Sequence, residues 1–312
     1  MHIEKRKSGN KIKYYLAHSY REGSKVHKLR KYLGVDLTKD KLKERREIAE
    51  KIILEEIHKY NLIKDPLHFE LSEEEIKEIK KLEKEIPIKI NHLSERDWRL
   101  FSEIFTYNTN AIEGSKLNQK EVKDLLEEDK WPDKSKEDIA ETYGVDEAIK
   151  FIRTTKEHLS IELIKKIHKI VFNNSKPFAG RLRKKGEEVV VTNNKGDVVH
   201  EGAPQSRVIF LLRELVEWYE NNQEKYPALV LASVVHNQFE NIHPFVDGNG
   251  RVGRILLNNI LIKHRLPPLN IGFKNRVEYY ASLKEYEINK NLKPTIELHL
   301  KEYRELKEKL KR

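Results

Sequence analysis

Apolar positions recur at three- and four-residue intervals along most of this chain. That spacing predicts helices over about 39–59, 72–85, 94–113, 118–129, 136–157, 160–173, 206–223, 226–241, 249–264, 274–290 and 294–311. Two stretches follow a different rule. In KIKYYLAHSYREGSKVHKLRKYL, residues 11–33, Ile12, Tyr14 and Leu16 alternate with their neighbours, and Val26 resumes the pattern after a turn-forming REGSK, which predicts a basic β-hairpin. In EEVVVTNNKGDVVHEGAP, residues 187–204, two valine-rich runs flank an Asn/Gly turn and predict a second hairpin. The fold class expected is therefore mainly α: a helical bundle carrying a small hairpin, with a small basic hairpin module ahead of it.

One helix pair says more about architecture than the rest. Ala228, Leu231, Ala232, Val235 and Phe239 form a single core stripe, whereas Val252, Ile255, Leu256, Leu257, Ile260 and Leu261 are apolar around more than one face. The second helix should run through the middle of the bundle. The connection between them then opens at one end of that bundle.

Composition narrows the chemistry. The 312 residues include no cysteine, which excludes disulfides, thiolate catalysis and cysteine-ligated metals. No apolar run approaches the roughly 20 residues that span a bilayer, and the start MHIEKRKSGNK lacks the apolar core of a signal peptide, so a cytoplasmic protein without a membrane partner is expected. The net charge of +10 is unevenly placed: residues 1–35 hold ten lysines and arginines against Glu4 and Glu22, and the remainder holds 51 basic against 49 acidic residues. A proline-containing break, NLIKDPLHFELS, separates this region from the later helices. The expected organisation is a basic hairpin module at 1–36, a helical linker region at 37–90 and the main domain at 91–312.

The connection between the paired helices reads HPFVDGNGRVGR, residues 243–254. The first-turn N–H groups of a helix, with its dipole, form an anion site, and Gly248 and Gly250 would let a phosphate approach the backbone. Asn249 can add a donor or cap the helix. Arg251 and Arg254, spaced i,i+3, could hold further phosphates, and two cations at a helix N-terminus need an anion to justify them. Asp247 is a normal type of magnesium ligand beside phosphates, and His243, with an ordinary pKa of about 6.5, suits a general base. Taken singly these residues have plain uses: a loop histidine before proline, an ordinary Gly-Asn-Gly turn, solvated arginines. The glycines make neither a Walker loop, since no GK[ST] follows, nor a dinucleotide fingerprint, since a helix precedes them. The set as a whole fits transfer from a nucleotide.

HPFVDGNGRVGR resembles the signature of the Fic domain family, His-x-Phe-x-[Asp/Glu]-Gly-Asn-Gly-Arg-x-x-Arg, at every signature position. The resemblance implies a protein adenylyltransferase that moves AMP from ATP to a Ser, Thr or Tyr hydroxyl of a target protein. It assigns His243 as base, Asp247 to Mg²⁺, Gly248, Asn249 and Gly250 to the phosphate cradle, Arg251 and Arg254 to the β- and γ-phosphates, and Phe245 to anchoring the loop. A second stretch, TNAIEG at 109–114, resembles the family's inhibitory motif [Ser/Thr]-x-x-x-Glu-[Gly/Asn], with Thr109 and Glu113 one turn apart and Glu113 pairing with Arg254. Glu113 alone could equally be a solvated residue at a helix end. The motif's position ahead of the core implies the subclass with an N-terminal inhibitory helix; in some members of the family the same glutamate also supports removal of AMP, so a bifunctional enzyme stays among the readings. The 187–204 hairpin, by its place after FAGRLR, resembles the family's flap, which presents the target segment.

His236 reads as structural. The final helix, with Ile296, Leu300, Tyr303 and Leu310, could pack on the bundle or on a second copy, so a homodimer stays among the partner readings beside a target protein and self-modification. The rival function is a nucleic-acid-binding regulator that uses residues 1–36, where Tyr14, Tyr15, Tyr20 and Tyr32 could stack on bases or fill a hairpin core, with the Fic site vestigial.

Overall fold

The structure, a computed structural model, describes residues 1–9, 11–22, 25–64, 66, 71–85, 90–187, 189–192 and 198–310. It divides into two compact units, residues 1–63 and 64–312.

The first unit is an antiparallel sheet in the order β1 (His2–Ser8), β2 (Lys11–Glu22), β3 (Lys25–Val35), followed by helix α1 (Lys39–Lys64). The predicted hairpin is β2–β3, and β1 adds a strand the pattern did not announce. Its sequence, HIEKRKS, is nearly all polar and lacks alternation; it is a strand because its backbone pairs with β2, Ile3 opposite Leu16 and Arg6 opposite Lys13. Leu16, Leu33, Ala49 and Ile53 make a small core between sheet and helix, with Ile3, Tyr14 and Leu29 packed against it. The boundary expected at residue 36 therefore falls inside this unit, and residues 37–90 divide between the two units instead of linking them.

The second unit contains α2 (Glu73–Lys84), α3 (Glu95–Ile112), α4 (Gln119–Glu128), α5 (Lys136–Thr154) and α6 (Ile161–Phe172). After these come the short antiparallel strands β4 (Val190–Thr192) and β5 (Val198–Glu201), then α7 (Val208–Asn222), α8 (Ala228–Ile242), α9 (Asn249–Lys263), α10 (Arg276–Asn289) and α11 (Lys293–Leu310). The helix starts are written locally. Ser94 and Asn118 open α3 and α4 with reciprocal capping boxes, and Ser135 and Ser160 cap α5 and α6, each such cap contributing about 1 kcal/mol. Helix α9 runs through the middle as its all-round apolar surface requires: Val252, Ile255, Leu256, Ile260 and Leu261 are fully buried, and α8 beside it is buried along nearly its whole length. The final helix packs on the bundle, with Ile296, Leu300 and Tyr303 buried. The second hairpin is present as β4–β5; its Asn/Gly turn lies outside the described residues.

Candidate active site at the start of the central helix

The loop from α8 to α9 is fixed from both ends. His243 closes α8 in the left-handed conformation, φ 51°, and its N–H donates to the Phe239 carbonyl at 3.0 Å. Pro244 then prevents the helix from continuing. Phe245 is fully buried and stacks on the His168 ring at 3.8 Å between centroids. Asn249 reaches back to hold it, Oδ1 accepting from the Phe245 N–H at 2.9 Å and Nδ2 donating to its carbonyl at 3.0 Å. The sequence offers Asn249 as a donor to phosphate or as a helix cap. In this structure both polar ends of its side chain brace the loop, because the buried Phe245 backbone would otherwise lack partners.

Gly248 precedes α9 at φ 80°, where a Cβ would lie 2.2 Å from the Phe172 ring, so only glycine fits. It provides no side-chain cap, which leaves the first-turn N–H groups of α9 for another acceptor. The His243 ring stands at the other end of the loop. Its Nδ1 lies 3.2 Å from the Glu240 carbonyl; a carbonyl only accepts, so Nδ1 carries the hydrogen and Nε2 is the basic nitrogen.

The charged side chains are all engaged. Asp247 accepts from the Gly248 N–H at 2.6 Å and lies 3.1 Å from the Lys176 ammonium. Burial opposes its charge, but Arg251, Lys176 and that N–H together hold its carboxyl below the usual range. Arg251 is buried in an ion pair with Glu141 of α5, its guanidinium 4.6 Å from the Phe172 ring centre. Arg254 is 2% exposed. It donates from Nη2 to Glu113 Oε1 at 2.6 Å and to the Thr109 carbonyl at 3.1 Å, from Nε to Thr109 Oγ1 at 2.8 Å, and from Nη1 to the Tyr279 hydroxyl at 3.2 Å. The two arginines, expected to point together at one ligand, are held by carboxylates of two different helices.

Glu113 does more than meet Arg254. A Cβ at Gly250 would lie 2.2 Å from Glu113 Oε1, so the carboxylate rests on the first turn of α9 where an anion would be held. At the C-terminus of α3 it opposes the dipole of its own helix, and the α9 N-terminus and Arg254 offset that.

Several supporting residues escaped the sequence reading. Glu141 and Lys176 come from separate helices and loops and have no local signature. His168 donates from Nε2 to the Asp247 carbonyl at 3.1 Å and accepts from the Gly180 N–H at 2.8 Å. Burial outweighs the Asp247 contributions and pulls its pKa down to about 4. Arg183, in the FAGRLR segment, is 2% exposed and donates to the carbonyls of His243 at 2.8 Å, Ala203 at 2.6 Å and Glu187 at 3.2 Å. It ties the base of the β4–β5 hairpin to the α8–α9 loop. His236 is structural as expected, buried with Nε2 3.1 Å from the Tyr279 hydroxyl.

Beneath the site, burial raises the Glu240 carboxyl to about 8, opposed by Arg254 and reinforced by Glu113. The folded chain therefore holds a proton that the unfolded chain loses above its ordinary value of 4.5. The resulting stability is complete below that value, declines as pH rises between it and about 8, and is lost above the folded value. Glu240→Gln is expected to remove this slope. Its unfolding free energy relative to wild type, followed by denaturant melts at a series of pH values, should rise with pH across the window by up to about 1.4 kcal/mol per pH unit and level off beyond it.

Residues 158–261 match the Fic/DOC family model. The chain is 33% identical over 188 residues to the protein adenylyltransferase fic-1 of Caenorhabditis elegans, covering 58% of this chain and 35% of that protein. It is 46% identical over 109 residues to a probable protein adenylyltransferase of Aquifex aeolicus, covering 33% of each. The chain thus spans about a third of the length of these curated relatives. Among solved structures, Fic-1 (residues 134–508) of C. elegans superimposes with a TM-score of 0.63 at 25% identity, over 88% of this chain and 78% of that one.

Proposed function

We propose that this protein is an ATP-dependent protein adenylyltransferase held inactive by Glu113. The observation that carries the reading is the carboxylate lying on the first turn of α9 while it holds Arg254: an anion-binding helix start with an anion of the protein already in it. The relatives' name, protein adenylyltransferase, supports the same reaction class.

In the reaction, Nε2 of His243 takes the proton of a Ser, Thr or Tyr hydroxyl as its oxygen bonds to the α-phosphorus of ATP. The bond to the β-phosphate oxygen breaks and pyrophosphate departs in line. The α9 N-terminus, Gly248 and Gly250 receive phosphate oxygens, and Arg251 and Arg254 receive the β- and γ-phosphates once released from Glu141 and Glu113. Such transfer depends mainly on positioning and charge neutralisation. Asp247 suits a magnesium ion by its chemistry: it is ionised, its side chain is 43% exposed, and a single carboxylate beside phosphates is the usual magnesium donor set. Among the described residues no cluster of three His, Cys, Asp or Glu could hold a metal, so the ion's other ligands would come from phosphates and water. Bound there, it would neutralise charge on the phosphates. The β4–β5 hairpin, tied to the loop by Arg183, would align the target segment as an added strand. Self-modification is the simplest assay because it needs no separate target protein. No helix among the described residues is long and apolar enough to cross a membrane.

Intact-mass spectrometry after incubation with ATP and Mg²⁺ tests the reading. Glu113→Gly is expected to gain one or more AMP increments, and Glu113→Gly with His243→Ala to lose them by at least a hundredfold, the usual scale for a general base. Equal labelling of the two variants would remove His243 from the chemistry.

A further inference from the structure

Helix α1 covers one face of the N-terminal sheet, and the other face is built differently. The strand register places Arg6 beside Lys13, Glu4 beside Tyr15 and Tyr15 beside Tyr32, Ala17, itself buried among the longer side chains, beside Arg30, and Ser19 beside Lys28, all on the face away from the Leu16, Leu33 and Ile53 core. Tyr32 is 56% exposed and its ring centre is 5.3 Å from that of Tyr15, with the Arg6 guanidinium 5.5 Å from the Tyr15 ring. Four cations therefore ring an aromatic pair, and Glu4 is the acid among them within the described residues. That single carboxylate lies 2.5 Å from Lys28, 2.8 Å from Arg30 and 3.7 Å from Arg6.

We propose that this open face docks in the major groove of duplex DNA. The three strands span roughly 10 Å at about 4.8 Å spacing, which matches a groove about 12 Å wide, and strands are an established way of entering it. Arg6 on β1 and Lys28 and Arg30 on β3 would then reach the phosphates on either side, with Tyr15 and Lys13 of the central strand toward the base edges. The major groove of A-form RNA is too narrow for a sheet. An acidic protein segment would satisfy the charge, yet it gives no reason for cations on both edge strands with an aromatic side chain, Tyr15, on the strand between them. This inference concerns residues 1–35 and stands independently of AMP transfer.

Fluorescence anisotropy with a labelled 24-base-pair duplex and the whole chain tests it. Three phosphate contacts predict an affinity loss of about fortyfold between 50 and 200 mM salt. Arg6→Glu with Arg30→Glu should weaken binding at least tenfold, whereas Lys41→Glu with Lys43→Glu, an equal charge change on exposed positions of α1, should leave it within twofold. Glu4→Gln keeps the shape of the sheet, removes the competing carboxylate and should tighten binding severalfold, which guards against a charge-reversal variant that fails to fold. The proposal is overturned if no salt-sensitive binding is found, if the α1 variant weakens binding as much as the sheet variant, or if double-stranded RNA or polyglutamate binds as well as the DNA.

Discussion

Glu113→Gly is expected to raise incorporation of AMP from α-labelled ATP about a hundredfold. The reason is geometric and electrostatic together. Glu113 Oε1 lies 2.6 Å from Arg254 Nη2 and within 2.2 Å of the Cβ position above Gly250, so one carboxylate blocks both the guanidinium and the helix start. A polyphosphate must displace it, and each tenfold in rate needs about 1.4 kcal/mol, well inside what a partly buried, hydrogen-bonded ion pair can supply. The variant should also melt at a lower temperature without ATP, because Arg254 keeps only Thr109 and Tyr279 of its present hydrogen-bond partners and a buried guanidinium has lost its counter-charge. ATP should restore much of that loss by binding the folded state. Labelling no faster than wild type would remove the inhibitory reading.

Gly250→Ala, introduced into the Glu113→Gly protein, is expected to cut that labelling by about a hundredfold. The position is inside the helix and its φ is ordinary, so alanine causes no backbone strain, and alanine is the better helix former. What the methyl does is fill the place where Glu113 Oε1 now sits, the place assigned to a phosphate oxygen. Losing one such preorganised contact typically costs a hundredfold or more in rate. With the carboxylate already gone, the loss cannot arise from a clash with it. Single-turnover labelling of the two proteins, alongside their thermal melts, separates a blocked site from a weakened fold. Equal rates would mean that phosphate does not approach α9 at this turn.

How much of this was legible beforehand varies with the range of the interaction involved. Helices α2 to α11 follow from apolar periodicity and from caps such as Ser94 and Asn118, because those signals act within a turn or two. The central place of α9 follows too, since a helix apolar on every side has to be surrounded. Strand β1 was missed: its polar sequence makes it a strand only through pairing with β2. The boundary at residue 36 was misplaced for the same reason, as α1 belongs with the sheet through Ala49 and Ile53.

The site divides in the same way. The chain alone determines that a histidine, an aspartate, two glycines and two arginines meet at a helix start, because they are neighbours within 12 residues. It also places a glutamate at the end of an earlier helix. That Glu113 rests on Gly250, that Arg251 is held by Glu141, that Asn249 braces Phe245 instead of waiting for phosphate, and that Arg183 fastens the hairpin to the loop were decided by tertiary packing. Those pairs are far apart in sequence, and a buried charge or backbone group takes whichever partner the surrounding helices bring to it. Local spacing can specify which groups a segment offers, but only the packed structure specifies what already occupies them.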